Sequence, residues 1–121
     1  MPMNRFVQSF RDAYQGIKYV AKTEQNFRIQ IAGSVVVLVA MIVFPLENWE
    51  RVVVILLVSM VLIMELLNTA LERFADLLKP RLHHYVLVIK DIMAGAVLLT
   101  ALAAILIGSI IFFPHFIALF R

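Results

Sequence analysis

Residues 52–76 read VVVILLVSMVLIMELLNTALERFAD, an apolar run that turns acidic before it ends. From Val52 to Leu71, about 20 residues carry only two marked polar side chains, Glu65 and Asn68, which is enough to cross hydrocarbon as a helix. Upstream, Ile29 to Leu46 gives a run of about 18 residues interrupted only by Gln30, Gly33, Ser34 and Pro45. Between the two runs, Glu47-Asn48-Trp49-Glu50-Arg51 reads as a short polar turn with Trp49 at the membrane interface. Downstream, Arg73 to Asp91 reads as a polar loop in which Lys79-Pro80-Arg81 and His83-His84 break any continuous helix. Ile92 to Phe113 then makes a third apolar run, with Pro114 marking its end. The expected fold is all-α, an integral membrane helical bundle with spans near 29–46, 52–72 and 92–113.

Composition agrees. Of 121 residues, 63% are hydrophobic and 16% charged, and the mean hydropathy of +0.94 is too apolar for the surface of an ordinary soluble domain. This length leaves no room for a separate soluble catalytic domain, so residues 1–121 read as one membrane-embedded unit whose chemistry lies on or beside the spans. The absence of cysteine excludes disulfides, thiolate metal sites and a cysteine nucleophile. A formal charge of +3 does not point to nucleic acid once its distribution is read along the loops. About 28 mixed residues precede the first apolar run, unlike a secretory signal, and the first span is expected to remain in place.

Nine of the 11 basic residues flank one face: Arg5, Arg11, Lys18, Lys22 and Arg28 before the first span, and Arg73, Lys79, Arg81 and Lys90 between the second and third. Only Arg51 and Arg121 fall on the other. Retention of positive charge on the cytoplasmic side therefore predicts the N-terminus and the 73–91 loop inside, with the 47–51 turn and the C-terminus outside. Before the first span, Phe6, Phe10, Ala13, Tyr14, Ile17 and Val20 recur at helical spacing among charged residues. This predicts an amphipathic helix over about 4–25 lying on the inner surface; a soluble helix packed on a partner is the alternative.

The spacings of three, four and four between Glu65, Asn68, Glu72 and Asp76 place all four within roughly 80° on one helix face. With Val52 at the outer edge, Glu65 lies about 20 Å inward, Glu72 near the inner interface, and Asp76 among headgroups and water. An ionisable group in hydrocarbon costs roughly 2.5 kcal/mol or more, so Glu65 calls for a partner helix or a function. Asn68 alone reads equally as interhelical glue. A carboxylate just inside the leaflet can meet the hydroxyl of a lipid alcohol, while carboxylates nearer water can hold magnesium bridging nucleotide phosphates.

Glu24 lies on the same side as Glu72 and is a further candidate metal ligand; on spacing alone, pairing with Arg28 at i,i+4 is the favoured reading. Lys90 and Asp91 divide evenly between phosphate binding and a plain interface anchor with an N-cap. His83 and His84 read as loop residues.

Glu65-x-x-Asn68-Thr69-Ala70-x-Glu72-x-x-x-Asp76 resembles the signature of the prokaryotic diacylglycerol kinase family, which includes undecaprenol kinases. Lys90-Asp91 with Ala94-Gly95-Ala96 resembles that family's second block. Glu24-x-Asn26-Phe27-Arg28-Ile29 is similar to the branch in which undecaprenol is a common substrate. The resemblance implies Glu65 as general base on the lipid hydroxyl, with Glu24 and Glu72 as ligands of Mg2+. It further implies that Asn68 holds the site geometry, that Lys90 contacts nucleotide phosphates, and that Asp76 and Asp91 bind or orient ATP. It also implies a homotrimer of three-span subunits in the inner membrane, each with a surface helix, and sites between subunits.

The resulting expectation is transfer of the γ-phosphoryl of Mg-ATP to a membrane alcohol, with undecaprenol first and diacylglycerol second. No glycine-rich phosphate loop is present, which leaves phosphate binding to magnesium, Lys90 and Arg28. A small proton-coupled multidrug transporter also depends on an intramembrane Glu, but a graded acidic stripe and three spans fit it less well. A non-catalytic membrane adaptor is the third reading.

Overall fold

The computed structural model describes residues 2–121, with side chains from Asn4 onward. Its four helices are α1 (Pro2–Thr23), α2 (Gln25–Val43), α3 (Asn48–Asp76) and α4 (His83–Ala118). The last three are long and apolar enough to cross a membrane. At 1.5 Å per residue, the 29 residues of α3 reach about 43 Å, so its ends project past a core about 30 Å thick.

Large apolar side chains face outward along these three helices, including Val36, Ile42, Leu99 and Ile105. That surface is costly in water and ordinary in lipid, and helical backbone pairs its amides internally, as hydrocarbon requires. The protein is a membrane protein.

α3 is the central element. It packs closely on both α2 and α4, while the backbones of α2 and α4 do not approach each other and meet only through side chains. Buried residues gather at the two ends of the bundle. At one end Leu46, Val54 and Ile111 form a core, and Phe44 meets Phe112 edge to face with ring centroids 6.1 Å apart. At the other, Val20, Phe27, Ala75 and Val86 are buried. Between them lies a groove of about 600 Å³, lined by small and branched residues such as Gly33, Ser34, Val58, Ala104 and Gly108. No atom would stand within 4 Å of a Cβ at Gly33 or Gly108, so the middle of the bundle is open rather than close-packed.

α1 has the expected stripe, with Phe6, Phe10, Tyr14 and Ile17 exposed along it, as suits a helix lying in an interface. Several expected boundaries are corrected. α2 begins at Gln25 and stops at Val43, because Phe44 turns extended ahead of Pro45. The break between α3 and α4 covers only residues 77–82, and His83 and His84 open α4 instead of sitting in the loop. Pro114 lies inside α4, which continues to Ala118.

His115 has no signal in the sequence that singles it out. Its Nε2 lies 3.2 and 3.4 Å from the two carboxylate oxygens of Glu50, and Glu50 Oε1 also accepts the backbone N–H of Glu47 at 2.9 Å. This contact joins the end of α4 to the start of α3. Trp49 Nε1 donates to Glu47 Oε2 at 2.6 Å beside it.

Candidate functional site

A single uninterrupted helix carries Glu65, Asn68, Glu72 and Asp76, so the face inferred from their spacing exists. Asn68 Nδ2 donates to Glu72 Oε1 at 3.3 Å, which requires the two side chains to share that face. From Glu65 to the end of α3 the helix rises about 16 Å, from the bundle interior to its polar end.

Glu65 is 3% exposed, the deepest acidic side chain described. Its Oε2 accepts a hydrogen bond from Gln30 Nε2 of α2 at 3.2 Å. Gln30 also lines the apolar groove, and Glu65 follows one turn after Val61, the last α3 residue that lines it. Gln30 Oε1 and Thr69 Oγ1 are buried without a hydrogen-bond partner. The carboxylates of Glu24 and Glu72 both lie within Coulombic reach of Glu65, which brings three acidic side chains from α3 and the α1–α2 joint into one region.

Glu24 does not pair with Arg28. Its Oε1 accepts from Arg73 Nη2, and Arg73 Nε donates to the Tyr19 hydroxyl at 3.1 Å. Arg28 instead donates to the carbonyls of Ala21 and Lys22 at 2.8 and 2.9 Å. These are orphan acceptors at the end of α1, which explains the choice and commits Nη1 of Arg28 to that end.

Lys90 of α4 donates to Asp76 Oδ1 at 2.6 Å, with Lys79 3.6 Å from the same oxygen. Lys90 is thus brought to the water-side end of the acidic face, and Glu72 is within its Coulombic reach. Asp91 is exposed in the third turn of α4, so it caps no helix.

Among the described residues, no three His, Cys, Asp or Glu side chains converge on one point as a ready-made metal cage. The oxygens of Glu24 and Glu72 nevertheless suit a hard cation that takes one or two protein carboxylates and completes its shell with phosphate and water.

Gln30 and Arg73 bond candidate site residues, and Tyr19 bonds Arg73; sequence reasoning misses all three. Gln30 carries a usable signal: it is an amide inside an apolar run, subject to the same cost argument that singles out Glu65. Arg73 and Tyr19 carry none, because their meeting depends on how α1 folds back onto α3.

Residues 11–112 match the family model described as prokaryotic diacylglycerol kinase. The chain is 41% identical over 112 residues to a diacylglycerol kinase of Synechocystis, an alignment covering 92% of this chain and 64% of that protein. It is 38% identical over 112 residues to the undecaprenol kinase of Bacillus subtilis, covering 93% of this chain and 91% of that one. Acidic face, paired Lys90 and three apolar helices coincide with this match over most of the length, and the chain belongs to the prokaryotic diacylglycerol kinase family.

Proposed function

We propose that this protein is a lipid kinase that transfers the γ-phosphoryl of ATP to a membrane alcohol, undecaprenol first and diacylglycerol as the alternative. The observation that carries the reading is the position of Glu65: buried, bonded to Gln30 of the apolar groove, on the same helix face as carboxylates that reach water. Such a face gives a greasy acceptor and a solvated donor a place to meet. The relatives named for diacylglycerol and undecaprenol support the acceptor class.

In this reading the hydrocarbon of the acceptor lies in the groove and its hydroxyl meets Glu65. Glu65 takes the hydroxyl proton as the oxygen forms its bond to the γ-phosphorus and the bond to the departing ADP breaks. Glu24 and Glu72 would hold a magnesium ion, which would neutralise charge on the transferred phosphoryl group. Asn68 fixes Glu72 from one turn away, and Arg73 fixes Glu24. Asp76 holds Lys90 at the water-side end until phosphate oxygens accept its ammonium, and Asp91 orients the nucleotide from the next position on α4.

The remaining assignments follow the charge distribution and the family. The N-terminus and the site face the cytoplasm, where ATP is available, in the inner membrane of a bacterium. The active assembly is a homotrimer with sites completed between subunits. The test is phosphate transfer from γ-labelled ATP by purified protein in vesicles containing undecaprenol, diacylglycerol or neither. Label in the undecaprenol product supports the reading, label only in phosphatidic acid selects the alternative, and label in neither lipid overturns it.

A further inference from the structure

We infer that Gln30 is a positioning residue for Glu65, holding that side chain both before and after it takes the proton of the lipid alcohol. The inference rests on the lipid kinase reading above. Three observations carry it. Gln30 is the side chain of α2 that bonds Glu65, through Nε2 to Oε2 at 3.2 Å. Its other carboxamide atom, Oε1, is buried with no partner. Gln30 lines the inner end of the apolar groove, where a lipid hydroxyl would arrive.

A buried carbonyl oxygen without a donor is unfavourable, so a purely structural amide is expected to have both ends satisfied. Gln30 has one end satisfied, and it faces a group whose hydrogen-bonding character changes during the reaction. As a carboxylate, Glu65 only accepts; once protonated, it also donates. A carboxamide is suited to both states. Its N–H2 donates to the carboxylate, and a half-turn about the last side-chain bond presents Oε1 to the new carboxylic acid. Gln30 exchanges no proton itself: the hydroxyl O–H breaks, the Glu65 O–H forms, and the amide changes which atom it offers.

The alternatives at this position are worse for physical reasons. An apolar side chain leaves Glu65 without a partner on α2. A lysine donates only, and locks the charged form. A second carboxylate opposes it by charge.

The test measures turnover of purified protein with γ-labelled ATP and the lipid alcohol that the wild type phosphorylates, for Gln30→Met, Gln30→Asn and Gln30→His. Met keeps the length without hydrogen bonding. Asn keeps the amide but falls about one C–C bond short. Imidazole keeps a donor and an acceptor. Met and Asn are expected to lower kcat about tenfold or more, with the KM for ATP within about twofold of wild type. His is expected to recover kcat to within about threefold. Binding of Mg-ADP at wild-type affinity by each variant identifies the folded proteins. Full kcat in either Met or Asn, or a His variant as slow as Met, overturns the inference. Wild-type protein that labels no lipid overturns the kinase reading instead, so the two failures are distinguishable.

Discussion

Arg73 on α3 donates to Glu24 at the joint of α1 and α2, and the same guanidinium donates to Tyr19 on α1. One cation thus fastens the surface helix to the central span and sets one carboxylate of the candidate site. Because α1 makes few other contacts with α3, Arg73→Met should loosen it. Amide exchange across residues 2–23 is expected to quicken by about fivefold, the range of a solvent-accessible ion pair, while exchange within residues 48–66 stays unchanged. Equal exchange in α1 would remove Arg73 as the fastening.

Glu72 is expected to matter through magnesium. Glu72→Gln removes a charged oxygen ligand and should raise the magnesium concentration for half-maximal turnover by about tenfold or more. Asn68→Leu should move the same titration less and in the same direction, because Asn68 bonds Glu72 but brings no charged oxygen of its own. An unchanged titration in Glu72→Gln counts against the ligand assignment.

The groove makes a separate prediction. Since a Cβ at Gly108 would meet nothing within 4 Å, Gly108→Leu should fold and fill space that a lipid chain would use. The KM for the lipid is expected to rise about tenfold while the KM for ATP holds. Parallel changes in both would show that the groove does not hold the acceptor.

The acidic face is legible in the sequence because helical spacing alone aligns Glu65 with Glu72 and Asp76, and because hydrocarbon makes a charged residue conspicuous. The spans are legible for the same reason, but their ends are not. Interfaces tolerate helical and extended backbone alike, so α3 and α4 run several residues past their apolar cores. Pro114 reads as a stop, yet a proline near a helix end can be carried where neighbouring groups satisfy the freed carbonyl. Contacts distant in sequence lie beyond such reading: Glu24 has an eligible partner four residues away in Arg28, and only the fold-back of α1 reveals that Arg28 caps its end while Arg73 takes Glu24.

At the opposite end of the bundle, His115 and Glu50 are expected to serve stability and not turnover. His115→Ala leaves a poorly exposed carboxylate short of a partner, and the midpoint of thermal unfolding in detergent should fall. Turnover per folded molecule should match wild type. Loss of turnover in protein that remains folded would assign this pair to the reaction.

The most direct measurement is a single-turnover reaction of Glu65→Gln with γ-labelled ATP, magnesium and the lipid alcohol accepted by the wild type. The expected result is nucleotide bound as in the wild type with phosphate transfer slowed by about a hundredfold or more. Transfer at the wild-type rate, with the buried carboxylate gone, would contradict the assignment of Glu65 as the group that activates the acceptor.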